Sequence, residues 1–100
     1  MKETLKIINN KIVESSLGWR INILSIDSLQ YQEDGKTILL KTEDYPDVSG
    51  ELEWIIYLPV NCRWQNADNE EPFSDEKMDE IVERISLAFW KLDMKIREIV

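Results

Sequence analysis

The stretch from Ser74 to Leu92 limits the fold more than any other. Met78, Ile81, Val82, Ile85, Phe89 and Leu92 recur at i, i+3, i+4, i+7, i+11 and i+14, a single apolar stripe down one side of a helix. Ser74 is a good N-cap, and Asp75 and Glu76 fall in the first turn, where the helix dipole favours anions. Asp79, Glu80, Glu83 and Arg84 are expected on the opposite side. A lone helix with one apolar stripe needs a second layer to cover it, and the rest of the chain reads as strands.

Asp34-Gly35 is the strongest turn signal, because both positions of a two-residue hairpin loop want positive φ. It joins Leu29-Gln30-Tyr31-Gln32 to Thr37-Ile38-Leu39-Leu40-Lys41. Trp19 to Ile26 reads as a strand, with Ile21 and Ile23 on one face and Leu24 and Ile26 on the other. Leu52 to Leu58 reads as a central strand, with Leu52, Trp54, Ile56 and Leu58 on one side and Glu53, Ile55 and Tyr57 on the other; Pro59 ends it. Residues 43–50, with Pro46 and Gly50, read as a loop, and Asn61 to Phe73 as a polar connection without periodicity. The first fifteen residues fit two patterns. One is a pair of short strands joined at Asn9-Asn10, which the β-branched content favours; the other is a helix stacking Leu5, Ile8 and Ile12. Met94 to Val100 reads as a closing strand. The expectation is one α+β domain over residues 1–100: a mostly antiparallel sheet, one long C-terminal amphipathic helix packed on one face, then a final strand.

Composition narrows the chemistry. The 100 residues include no histidine, which removes the commonest general base and metal ligand together. Neither a Gly-rich phosphate loop nor a nucleophile elbow is present. Cys62, the one cysteine, has no histidine to activate it and reads as an inert residue at a strand end. Asn66, Asp68 and Glu70 have the alternate spacing of a calcium loop. Glu71 and Lys77 then stand where that loop requires Gly and Glu, so no metal is expected. No catalytic residue, cofactor or enzymatic activity is expected. The N-terminus lacks the apolar run of a signal peptide and no stretch is long enough to span a bilayer, so the expectation is a cytoplasmic protein.

Charge is the best lead to function. Between Glu43 and Glu83 there are 13 acidic residues against Arg63 and Lys77, while the rest of the chain carries seven acidic and ten basic residues, for a net −8. Such a block repels nucleic acid and anionic membranes and suits a basic protein partner. Solubility alone explains the net charge but not its concentration in one block. The candidate binding residues are Asp68, Glu70, Glu71, Asp75, Asp79 and Glu83, with a possible second acidic patch at Asp44, Asp47, Glu51 and Glu53. Of the four tryptophans, Trp19 and Trp54 read as core. Trp64 reads as a loop anchor or an aromatic contact, and Trp90, beside the helix stripe, as a flank over the sheet edge or a contact residue.

Ile56-Tyr57-Leu58-Pro59, then Arg63-Trp64, Glu70-Glu71-Pro72-Phe73-Ser74, Glu76-Lys77, Ile81-Val82, Ile85 and Met94-Lys95-Ile96-Arg97-Glu98-Ile99 make up a recognisable order. This order resembles small immunity proteins of bacterial polymorphic-toxin and contact-dependent growth inhibition systems, over about the last half of the chain. There a strand leads to a Trp, an acidic Pro-containing loop, a Ser-capped helix and a closing strand; Asn66 to Asn69 is more extended than that pattern. The resemblance implies a cytoplasmic antidote that covers the basic active-site cleft of one cognate toxin, a nuclease and foremost a ribonuclease, with Trp64 and the acidic residues at the contact. The alternative is a non-catalytic adaptor or structural subunit that homo-oligomerises and is acidic only for solubility.

Overall fold

The computed structural model describes residues 3–58 and 74–100. Among the described residues seven strands and one helix follow in the order β1 (Leu5–Asn9), β2 (Ile12–Ser15), β3 (Trp19–Ser25), β4 (Ser28–Glu33), β5 (Lys36–Pro46), β6 (Leu52–Tyr57), α1 (Asp75–Lys91) and β7 (Lys95–Ile99). The strands form one sheet in chain order. The five pairings from β1 to β6 are antiparallel, and β7 joins β6 in parallel. A parallel neighbour needs a long crossover, and α1 lies within it.

The turns follow from local chemistry. Asp34 (φ 49°) and Gly35 (φ 76°) both take the left-handed conformation between the paired Glu33 and Lys36, as the Asp-Gly signal predicts. Residues 5–15 form the strand pair, not the helix. Neither Asn9 nor Asn10 has positive φ; instead the Asn9 side-chain oxygen accepts the Lys11 N–H at 2.8 Å, an Asx turn.

The stretch 43–50 departs from its expected loop. Glu43 to Pro46 continues β5 opposite Ile55, Trp54, Glu53 and Leu52, leaving only Asp47 to Glu51 as the turn. Pro46 is tolerated because it is the last residue of the strand. Asp47 organises that turn: its Oδ1 accepts from Ser49 N, Ser49 Oγ and Glu51 N at 2.8, 2.7 and 3.0 Å. The Ser49 hydroxyl, opposed by desolvation and aided by the two amides and Lys95, holds the Asp47 carboxyl below its usual range.

One face of the sheet is the core. Trp19, Ile21 and Ile23 lie opposite Glu33, Tyr31 and Leu29, which in turn lie opposite Lys36, Ile38 and Leu40. Their apolar members are buried together with Val13, Trp54 and Ile56. The helix contributes Met78, Ile81, Ile85, Ala88 and Phe89 to its buried side. Phe89 meets Trp54 edge-on, with ring centroids 5.7 Å apart. Val82 and Leu92 are only half-buried, and Ala88, one turn beyond Ile85 on the buried side, joins the core. Leu24 and Ile26 are exposed, as their alternation requires.

Both ends of α1 are capped. Ser74 accepts the Lys77 N–H at 3.1 Å. At the other end Met94 N–H reaches Phe89 O at 2.8 Å and Asp93 N–H reaches Trp90 O at 3.0 Å, with Asp93 at φ 58°. This is a Schellman turn with aspartate in the position glycine usually takes.

Candidate protein-binding face

Charge on α1 divides by angle around the helix. At 100° per residue, Asp75, Glu76, Asp79 and Glu83 share one arc opposite the buried stripe, and all four are exposed. None forms an ion pair among the described residues, in contrast to their neighbour Glu80. Trp90 lies on the same arc, two turns beyond Glu83, with 74% of its surface exposed. It is therefore a protruding residue and does not cover the sheet edge.

Glu80 and Arg84, expected among the outward residues, turn back to the sheet. Their meeting point is Glu33, the last residue of β4, which the hairpin directs toward the helix. Glu33 accepts from Tyr31 Oη at 2.7 Å, Lys77 Nζ at 3.0 Å and Arg84 at 2.7 Å. Glu80 bridges the same two cations at 2.6 and 3.1 Å. Arg84 also donates to Tyr31 Oη at 2.7 Å and stacks 5.5 Å over the Trp19 ring. Burial alone would raise the Glu33 carboxyl, but the Tyr31 and Lys77 hydrogen bonds and the Lys77 and Arg84 charges outweigh it, and the pKa lies below its usual value. Burial, reinforced by Glu33, pushes the Tyr31 phenol up. The cluster pins helix to sheet. Its members are held by one another, so it serves the fold.

The second acidic patch does not form one surface. Asp44 pairs with Trp54 on the core side of the sheet, whereas Glu53, opposite Tyr45, points to the other side. Asp47 is engaged in its own turn, Lys95 lies 3.4 Å from Glu51 and 3.9 Å from Asp47, and Arg97 lies 3.5 Å from Glu53. Arg97 occupies a β-bulge between β6 and β7 and also covers the Tyr45 ring at 5.6 Å.

Of the residues the sequence singled out, Asp75, Asp79 and Glu83 come together on one helix face. Trp64, Asp68, Glu70 and Glu71 lie outside the described residues, as does Cys62. Trp19 and Trp54 are buried, and the Trp19 indole N–H donates to Glu3 at 2.7 Å. Among the described residues no group of three His, Cys, Asp or Glu is placed to hold a metal ion, and no helix is long and apolar enough to cross a membrane. No protein-family model, curated protein or solved structure matches this chain.

Proposed function

We propose that this protein is an immunity protein, an acidic binding module that neutralises a cognate toxin by laying its carboxylates over the toxin's basic active-site cleft. A nuclease, and first a ribonuclease, is the toxin class this chemistry fits, because a cleft that grips phosphate must be cationic. The reading rests on the outer arc of α1. Asp75, Glu76, Asp79 and Glu83 are exposed and unpaired among the described residues, although Lys77 and Arg84 on the same helix neutralise Glu33 and Glu80. Like charges three and four residues apart weaken a helix slightly, and Asp79 and Glu83 lie beyond the first turn where the helix dipole favours acids, so the fold gains nothing from those two. A basic partner does gain. Complementary charge speeds encounter to about 10⁸–10⁹ M⁻¹s⁻¹ at low salt, which suits an inhibitor that must act before its target does. In this reading Trp64, Asp68, Glu70 and Glu71 extend the same contact, and the resident cytoplasm of the producing cell is where the capture takes place.

The test is co-expression with the product of the neighbouring reading frame, which this reading expects to carry a toxic domain. Wild type should protect the cells, with association that slows steeply as salt rises. The variant Asp75→Asn/Glu76→Gln/Asp79→Asn/Glu83→Gln should fold and fail to protect. Full protection by that variant would remove this face from the mechanism.

A further inference from the structure

The Schellman turn that ends α1 brings Trp90 and Met94 to the rim of an apolar depression. One hollow of about 560 Å³ is bounded by Leu52, Trp54, Trp90 and Met94, and a second of about 450 Å³ by Ile23, Leu24, Ile26 and, again, Trp54 and Met94. Sharing two side chains, they make one trough across the end of the sheet. Its walls expose large apolar groups: Leu24 46%, Ile26 65%, Leu52 52% and Trp90 74%. Scattered apolar residues are ordinary on a protein surface, but a contiguous group around a protruding Trp marks a contact site.

Charge selects the occupant. The trough begins where the acidic arc of Asp79 and Glu83 reaches Trp90, and Glu51 and Asp93 lie on its border. Among the described residues two cations line the trough: Lys95, in the Trp90 hollow, is already shared by Glu51 and Asp47, and Lys11 borders only the second hollow, so the Trp90 hollow is the acidic end. A second copy would bring another net −8 against this one, so the surface disfavours itself. We infer that the trough takes an aliphatic or aromatic side chain of a basic polypeptide whose lysines or arginines lie along Asp79 and Glu83, with Trp90 closing over the inserted group. This rests on the acidic-module reading above and adds the hot spot to it: carboxylates steer and orient, and Trp90 supplies the desolvated contact that slows dissociation.

Two synthetic probes separate the contributions: an oligolysine peptide, and the same peptide interrupted by a central Leu-Phe pair. Both are titrated into the intact protein at low salt, with affinity read by calorimetry and the Trp90 indole N–H followed by NMR. The interrupted peptide should bind roughly tenfold more tightly, the gain expected from partly burying one large apolar side chain, and should shift the Trp90 indole. Trp90→Ala, a change at an exposed position, should abolish that advantage while leaving oligolysine binding in place. Asp79→Asn/Glu83→Gln should weaken both peptides alike. Equal affinities on wild type, or an advantage that survives in Trp90→Ala, overturns the trough and leaves the acidic reading standing. Binding of neither peptide overturns both. A dimer in sedimentation that Trp90→Ala dissociates also overturns it, by assigning the trough to a second copy.

Discussion

Replacing Glu33 with alanine should be among the costliest changes to a partly polar site in this protein. The side chain is 16% exposed and accepts hydrogen bonds from Tyr31, Lys77 and Arg84. Hydrogen bonds to charged groups contribute about 1.5–3 kcal/mol each, and losing one partner of a desolvated pair leaves the other charge uncompensated. The full sum is not lost, because Glu80 still holds Lys77 and Arg84, and Arg84 still donates to Tyr31. About 2–4 kcal/mol remains, which in a domain of this size lowers Tm by roughly 10–25 °C. Urea unfolding of Glu33→Ala, Arg84→Ala and the double variant should give a coupling energy above about 1 kcal/mol. Glu33→Gln, which keeps an acceptor but no charge, should fall between alanine and wild type. The pH dependence has a definite sign. The folded pKa of Glu33 is depressed, so its stabilisation is complete above the unfolded carboxyl value, about 4.3. It is lost as pH falls below that value and through the folded pKa, and Glu33→Ala should flatten this part of the acid profile. A cost below about 0.5 kcal/mol with no coupling would refute the claim that this cluster fastens helix to sheet.

Three further outcomes follow from the caps and the core. Asp93→Gly should stabilise by about 0.5–1 kcal/mol, since glycine takes the left-handed φ of 58° without the cost of a Cβ; differential scanning calorimetry should show a higher Tm. Ser74→Ala should cost about 1 kcal/mol by freeing the Lys77 N–H, read as a lower urea midpoint and faster amide exchange in the first turn. Phe89→Ala, fully buried against Trp54, should cost about 3–5 kcal/mol and leave little net stability in a domain of ordinary marginal stability, visible as partial unfolding in circular dichroism at room temperature.

The elements legible from sequence are those whose signal is local. Ser74 and the helical stripe set α1, Asp34-Gly35 set the β4–β5 turn, and the alternation in 19–26 and 52–58 set β3 and β6 with their inner faces. The end of β5 was hidden because Thr42 and Asp44 put polar groups on the inner face, so 42–46 shows no apolar alternation. Thr42 can be buried there because its hydroxyl donates to Ile26 O at 3.0 Å and its N–H to Asp27 O. The Glu33 cluster was missed for a different reason: its cations come 44 and 51 residues later. A signal for it does exist in the helix. Lys77 and Arg84 are spaced by seven and border the apolar stripe, where a long cation can lay its stem along the core and seek an acid on the layer below. The sequence marks Trp90 as standing beside the helix stripe, but not the trough, because the turn at Asp93 and the ends of β3 and β6 build it from distant parts of the chain.

The carboxylates of α1 now divide by what opposes them, and the division can be measured. Glu80 sits beside two cations and contributes to the fold, whereas Asp79 and Glu83 face only other acids: the pairs Asp75–Asp79, Glu76–Asp79 and Asp79–Glu83 are all at helical contact spacing. Each such like-charge pair costs about 0.2–0.5 kcal/mol, and Asp79 and Glu83 lie beyond the first turn, where the helix dipole offers little in return. Asp79→Asn/Glu83→Gln should therefore raise stability by a few tenths to about 1 kcal/mol while weakening capture of a basic partner, the opposite of what a structural pair of acids would do. Urea midpoints at low and high salt decide it, since the gain should shrink as salt screens the repulsion in the wild type. If the double variant is instead less stable than wild type, these acids support the fold. Their exposure would then no longer argue for a partner.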